Sequence, residues 1–185
     1  MSQRSVSKIK VVRLEAEDDR PPFDCGDDDL NEFFNKDSRQ GSLQLLAVTY
    51  LVLREGQLVA FFSVSNDSIK KEEVGGTAFK RVVAQLTKSK RYSSQPAVKI
   101  GRLAVAKDAQ GSGLGRNILD FIKAWFTIGN KTGCRFIVVD AYAQSIDFYQ
   151  KNGFALLSGN DQKEKTRLMY FDLITVISSG EAGPV

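Results

Sequence analysis

Three observations predict a mixed α/β (α+β) domain for this chain of 185 residues. Residues 99–116 read as a strand, a glycine-rich turn and a helix start in immediate succession. Residues 45–54 and 57–65 are β-rich runs separated by Glu55-Gly56, a hairpin signal. Leu114, Ile118, Phe121, Ile122 and Trp125 recur at helical spacing and give one helix its buried face. The length suffices for one well-buried core and is short for two, so residues 1–185 are expected to form a single domain with its core over 8–174.

The elements follow in order. Residues 8–14 alternate into a first strand, and Pro21-Pro22 then blocks regular structure in an acidic loop. Asp27, Asp28 and Asp29 offer N-caps to a helix over 28–40, whose Leu30, Phe33 and Phe34 share a face and which ends near Gly41. The hairpin comes next. Residues 66–96 are polar and irregular, apart from a short helix striped by Ala78, Val82, Val83 and Leu86 that carries Lys80, Arg81, Lys88, Lys90 and Arg91. Beyond it are expected a strand at 98–107, the glycine turn, the helix from Leu114, a strand at 135–141 and a helix at 143–152. Strands at 154–158 and 166–174 complete the core, and 178–185 fray.

Composition narrows the chemistry. The chain has no histidine, which excludes Ser-His-Asp and Cys-His nucleophile systems and every His-ligated metal site. No metal is expected. Chemistry must rest on Tyr, carboxylates, backbone and water. Cys25 and Cys134 lack a metal-ligand spacing and read as two reduced thiols, the latter in the core. No stretch has the roughly 18 to 20 apolar residues that span a bilayer, and the polar residues 1–8 hold no signal-peptide core, so a cytoplasmic protein without membrane contact is expected. The net charge of +4 and pI near 9.0 favour an acidic partner.

The turn at Gly111, Gly113 and Gly115 lacks the Cβ atoms that would keep an anion from backbone N–H groups, and the following helix aims its positive dipole end there. A plain strand-to-helix corner is the structural alternative. A dinucleotide fingerprint needs G-x-G-x-x-G, and here the third glycine falls one residue early. A Walker loop would need Gly-Lys where Arg116-Asn117 stand. The frame that fits is [Q/R]-x-x-G-x-[G/A], filled by Gln110, Gly113 and Gly115. About thirty residues on, Ser145-Ile146-Asp147-Phe148-Tyr149 with Gly153-Phe154 fits A-x-x-F-Y-x-x-x-G-F.

Together these motifs resemble those of the GNAT superfamily of N-acyltransferases, in order and separation, with the likeness running from the first strand to about Leu173. The resemblance implies a central mixed, mostly antiparallel sheet flanked by helices, and acetyl-CoA as cosubstrate. It implies that main-chain groups of Leu103, Ala104 and Val105 pair with the pantetheine arm like an added strand. The loop Gln110, Gly111, Ser112, Gly113, Leu114, Gly115 and Arg116 would take the pyrophosphate. Tyr149 would protonate the departing thiolate as general acid, since a phenol with pKa near 10 is protonated at neutral pH. The alternative for Tyr149 is a core position beside Phe148. Asp140 reads as a strand-end cap or loop former and is given no catalytic role. Tyr142 stands where many GNAT enzymes carry Asn, a departure at a usual CoA contact.

Phe23-Asp24-Cys25-Gly26 with Leu30 and Phe33-Phe34, the run Gly101-Arg102-Leu103-Ala104-Val105, and Val138-Val139-Asp140-Ala141 resemble one branch, the acetyltransferase toxins of bacterial toxin-antitoxin pairs. That branch implies the amino group of aminoacyl-tRNA as acceptor, Arg102 and the basic segment 80–91 as holders of tRNA phosphate, and an antitoxin protein as partner. A solvated basic surface is the bland reading of that segment. A small-amine or protein N-acetyltransferase, and a non-catalytic CoA-binding regulatory module, are the alternatives. A homodimer is in keeping with the superfamily.

Overall fold

The computed structural model describes residues 9–84, 86, 93–130, 132–157 and 164–178. Its seven strands form one mixed sheet in the order β1-β2-β3-β4-β5-β7-β6. These are β1 (Ile9–Leu14), β2 (Val48–Arg54), β3 (Gln57–Lys70), β4 (Ser94–Val105), β5 (Phe136–Tyr142), β6 (Ala155–Leu156) and β7 (Thr166–Asp172). The helices are α1 (Asp28–Glu32), α2 (Ser38–Leu43), α3 (Lys71–Val74), α4 (Gly76–Val83), α5 (Leu114–Thr127), α6 (Ile146–Lys151) and α7 (Ile174–Ser178). β1 with β2, β2 with β3, and both β5 and β6 with β7 pair antiparallel. β4 and β5 pair in parallel at Ala97↔Phe136, Val98↔Ile137 and Lys99↔Val138.

The chain divides into two compact units, residues 1–65 with 101–115, and residues 66–100 with 116–185. In the first, Leu14, Cys25, Phe34, Leu51, Phe61 and Ala104 form a buried cluster. Phe61 stacks on Phe34 at 4.9 Å and meets the edge of Phe23 at 5.1 Å, favourable offset and edge-to-face arrangements. The run Val59–Val64 is buried at every position, as a strand covered on both faces requires. In the second unit, Ile69, Val74, Phe79, Val82, Phe136 and Leu157 anchor another cluster. There Arg135 grips Asp172 with two N–H groups at 2.6 and 2.9 Å, tying the residue before β5 to the end of β7.

Several boundaries move from their sequence positions. The helix expected over 28–40 is α1, a π-helical turn at Phe33–Asp37, and α2. The Ser38 hydroxyl donates to the Phe34 carbonyl at 2.7 Å inside this irregular turn. β2 begins at Val48, because Leu45 adopts φ 58° in an exposed turn. β3 runs on through 66–70, and β4 starts at Ser94, so parts of the stretch read as irregular are paired strand. β4 stops at Val105, since Lys107–Ala109 wind into a 3₁₀ turn. The short helix read around 78–86 is α4, with α3 before it, and Leu86 lies beyond the helical residues. The helix expected over 143–152 is a 3₁₀ turn at Ala143–Ser145 followed by α6. The strand expected over 154–158 is the two-residue β6, and β7 ends at Asp172 because α7 begins at Ile174, with Asp172 Oδ1 accepting the Ile174 N–H at 3.1 Å. On α5 the buried face is Leu114, Ile118, Leu119, Ile122 and Phe126, with Phe121 and Trp125 half-buried beside it. Glu55 and Gly56 both have positive φ, 51° and 84°, as a tight hairpin turn demands, and Arg54 pairs with Gln57 across it.

Candidate active site

In the first unit, β4 delivers the chain to the glycine loop. Its backbone from Ile100 to Val105 lies beyond the three-pair ladder with β5. Ala104 is buried in the Phe34–Phe61 cluster, while Leu103 and Val105 are half-buried. The 3₁₀ turn follows, then Gln110 in extended conformation, then Gly111 at φ 72° and Gly113 at φ 82°. A Cβ at either glycine would meet nothing within 4 Å, so these positions demand a left-handed backbone and leave the space above their N–H groups open. Buried Leu114 then pins the start of α5, whose first-turn N–H groups have no intrahelical acceptor. An anion-accepting nest at a 14-residue helix results.

Side chains of the loop have other duties. Ser112 Oγ donates to Ala109 O at 2.6 Å. Gln110 Nε2 donates to Cys25 O at 2.8 Å and Val105 O at 3.0 Å, which commits both amide protons. Arg102 lies 5.1 Å over the Phe33 ring, donates to Gly101 O at 2.9 Å and approaches Asp29 at 3.9 Å. Its buried Nε has no hydrogen-bond partner among the described residues. Asp27 caps α1 by accepting the Leu30 N–H at 3.1 Å.

In the second unit, Tyr149 on α6 is 7% exposed, with edge-to-face contacts to Phe148 at 5.2 Å and Phe154 at 5.3 Å. Burial pushes its phenol up to about 12. The group stays protonated at neutral pH. Sequence offered a core role and an acid role as alternatives, and the burial and ring contacts are those of the core position beside Phe148. Asp140 is neither a cap nor a loop former: it pairs with Lys99 of β4 at 2.5 Å, a partnership the sequence did not reveal because the two residues meet only through the parallel register. Tyr142 ends β5 half-buried, with Lys165 Nζ 5.4 Å from its ring centroid. Arg116, exposed and 3.7 Å from Asp120, lines a cleft of about 560 Å³ with Lys123, Lys151 and Asn152. Of the basic segment, Lys80 is exposed and Arg81 donates to Leu157 O at 3.4 Å, whereas Lys88, Lys90 and Arg91 lie outside the described residues. Among the described residues no cluster of His, Cys, Asp and Glu is arranged to hold a metal, and no helix is long and apolar enough to cross a membrane. Both cysteines are buried, free thiols.

A family model described as an acetyltransferase (GNAT) domain matches residues 47–156, from the start of the hairpin through the glycine loop and Tyr149. The chain belongs to the GNAT acetyltransferase family. This GNAT protein is an acetyltransferase. A tRNA-acetylating toxin of Mycobacterium tuberculosis is 25% identical over 130 residues, which cover 70% of this chain and 73% of that protein. Among solved structures, AtaT complexed with acetyl-methionyl-tRNAfMet matches with a TM-score of 0.75 at 19% identity, covering 94% of this chain and 99% of that one. AtaTR bound with acetyl-CoA matches with a TM-score of 0.72 at 20% identity, covering 93% and 98%. These two likenesses are likenesses of fold.

Proposed function

We propose that this GNAT enzyme transfers the acetyl group to the amino group of an aminoacyl-tRNA in the cytoplasm, and that an antitoxin protein restrains it. The observation that carries this reading is the likeness to a tRNA-acetylating toxin along 70% of the chain. Acetyl-CoA supplies the activated thioester. In this reading the loop from Gln110 to Gly115 and Arg116 hold its phosphates, and the β4 backbone at Leu103, Ala104 and Val105 takes the pantetheine arm by strand addition. A β4 N–H polarises the carbonyl under attack by the amine. Tyr149 Oη delivers its proton to the departing sulfur as the C–S bond breaks, and the amine proton leaves to water. Arg102, held over Phe33 and only loosely matched by Asp29, is the group offered to tRNA phosphate.

The test is acetyl transfer from radiolabelled acetyl-CoA by the purified protein, with charged tRNA, deacylated tRNA, small amines and peptides in parallel. Label on charged tRNA alone is expected. Label on small amines or peptides alone overturns the tRNA assignment and keeps the mechanism, and tight acetyl-CoA binding without transfer to any acceptor makes the protein a binding module.

A further inference from the structure

We propose that the turn formed by Phe23, Asp24, Cys25 and Gly26 is a positioning element for the acetyl-CoA loop, gripping it at Lys107 and Gln110. The inference rests on the reading that the glycine loop binds acetyl-CoA.

Three contacts join two segments more than eighty residues apart in sequence, and a fourth braces one of them. Lys107 Nζ donates to Asp24 Oδ2 at 2.7 Å, and the Lys107 N–H donates to Asp24 O at 3.0 Å. Gln110 Nε2 donates to Cys25 O at 2.8 Å and, on its own side, to Val105 O at 3.0 Å. The last strand residue, the 3₁₀ turn and the residue preceding Gly111 are thereby fastened to one short turn. A Cβ on Gly26 would stand 2.8 Å from Lys107 Cε, so the grip closes at a position without a side chain.

The turn is itself braced. Asp24 Oδ1 accepts the Gly26 N–H at 2.8 Å and Asn31 Nδ2 at 3.0 Å. Asn31 Oδ1 in return accepts the Cys25 N–H at 3.0 Å and the Cys25 thiol at 3.2 Å. Asn31 lies on α1 and thus carries the order of that helix into the turn. The cationic partner and the two N–H donors hold the Asp24 carboxyl down to about 2, so the anion persists at any physiological pH.

Function follows from geometry. The nest binds anions through backbone N–H groups, so its affinity depends on the loop already having its bound shape, and loop ordering at the moment of binding would subtract from it. With its amide protons spent on carbonyls, Gln110 acts on the ligand through the loop backbone. Asp24 and Asn31 are therefore positioning residues for acetyl-CoA.

The experiment measures acetyl-CoA affinity by calorimetry, together with KM and kcat, for wild type, Gly113→Val, Asn31→Ala, Asp24→Ala and Asp24→Asn, each checked for a native melting transition. Asn31→Ala and Asp24→Ala are expected to raise Kd and KM for acetyl-CoA about tenfold, the scale of one lost hydrogen bond, with kcat at saturation and KM for the acceptor held within about twofold. Asp24→Asn, which keeps an Oδ1 acceptor for Gly26 and Asn31, is expected to recover part of the loss. A merely structural role would lower the melting temperature and leave these affinities alone. Folded Asn31→Ala and Asp24→Asn with wild-type Kd overturn the proposal while Gly113→Val still abolishes binding. Undiminished binding by Gly113→Val removes the loop reading and the proposal with it.

Discussion

Tyr149 is a buried phenol, and the proposed acid role can be tested on its hydroxyl alone. A phenol near 12 keeps its proton at neutral pH, and because a thiolate is a weaker base than that phenolate, the proposed acid role requires the proton to move in concert with C–S cleavage, while charge is still building on the sulfur. Tyr149→Phe keeps the ring and its contacts with Phe148 and Phe154 and removes only the proton. The expected result is a fall in kcat of about 10²–10⁴-fold with acetyl-CoA affinity retained, read from steady-state kinetics beside calorimetry. Because the folded pKa is raised, Tyr149 imposes no descending limb on the pH–rate profile below about pH 11. Asp24 works in the opposite sense. Its folded pKa, about 2, lies below the ordinary 3.8, so its contribution to stability is present above 3.8 and is lost as pH falls through about 2. The carboxylate is exposed and salt-screened, which keeps the effect small. The gap in urea midpoint between wild type and Asp24→Asn is expected to close as the pH is taken from about 5 to about 2.

At the scale of elements, α5 follows the glycine loop and buries one face in the core. Ile122, 0% exposed, sits on its buried face, and Ile122→Ala is expected to cost about 2–5 kcal/mol in urea unfolding through lost burial and the cavity left behind. Asp172 serves two elements, accepting both Arg135 donors and the Ile174 N–H that opens α7. Asp172→Ala is expected to cost about 1–3 kcal/mol by the same measurement, since a half-buried guanidinium loses its partner. Elements with strong local signals were legible: the hairpin from Glu55-Gly56, α5 from its apolar stripe, the loop from its glycines. Others were not. The extension of β3 over 66–70 and the start of β4 at Ser94 lie in polar sequence, where neighbouring strands supply the hydrogen bonds that local propensity does not. The π-helical turn at Phe33–Asp37 arises where Phe33 and Phe34 both turn toward the Phe61 cluster, a demand of packing.

For the molecule as a whole, β3, β4 and α5 each run through a boundary between the two compact units, so neither unit consists of chain that ends where the unit ends. One cooperative unfolding transition is therefore the expected outcome, with Trp125 fluorescence, which reports on the second unit alone, coinciding with far-UV circular dichroism. Separate midpoints would make the units separate domains. The net charge of +4 acts at the same scale. If charged tRNA is the acceptor, its KM rises steeply between about 50 and 200 mM salt while that of acetyl-CoA rises little, because many more phosphates are contacted. The sequence by itself determined the glycine loop, the Phe148-Tyr149 and Gly153-Phe154 motif, the absence of histidine chemistry and the family these imply, because each depends on residue type at fixed short spacing. Only the tertiary structure decided that Gln110 spends its amide on Cys25 and Val105, that Asp24 holds Lys107, that Lys99 meets Asp140, and that Tyr149 is buried and its pKa raised. Those are matters of register and packing between segments distant in the chain, and no local pattern encodes them.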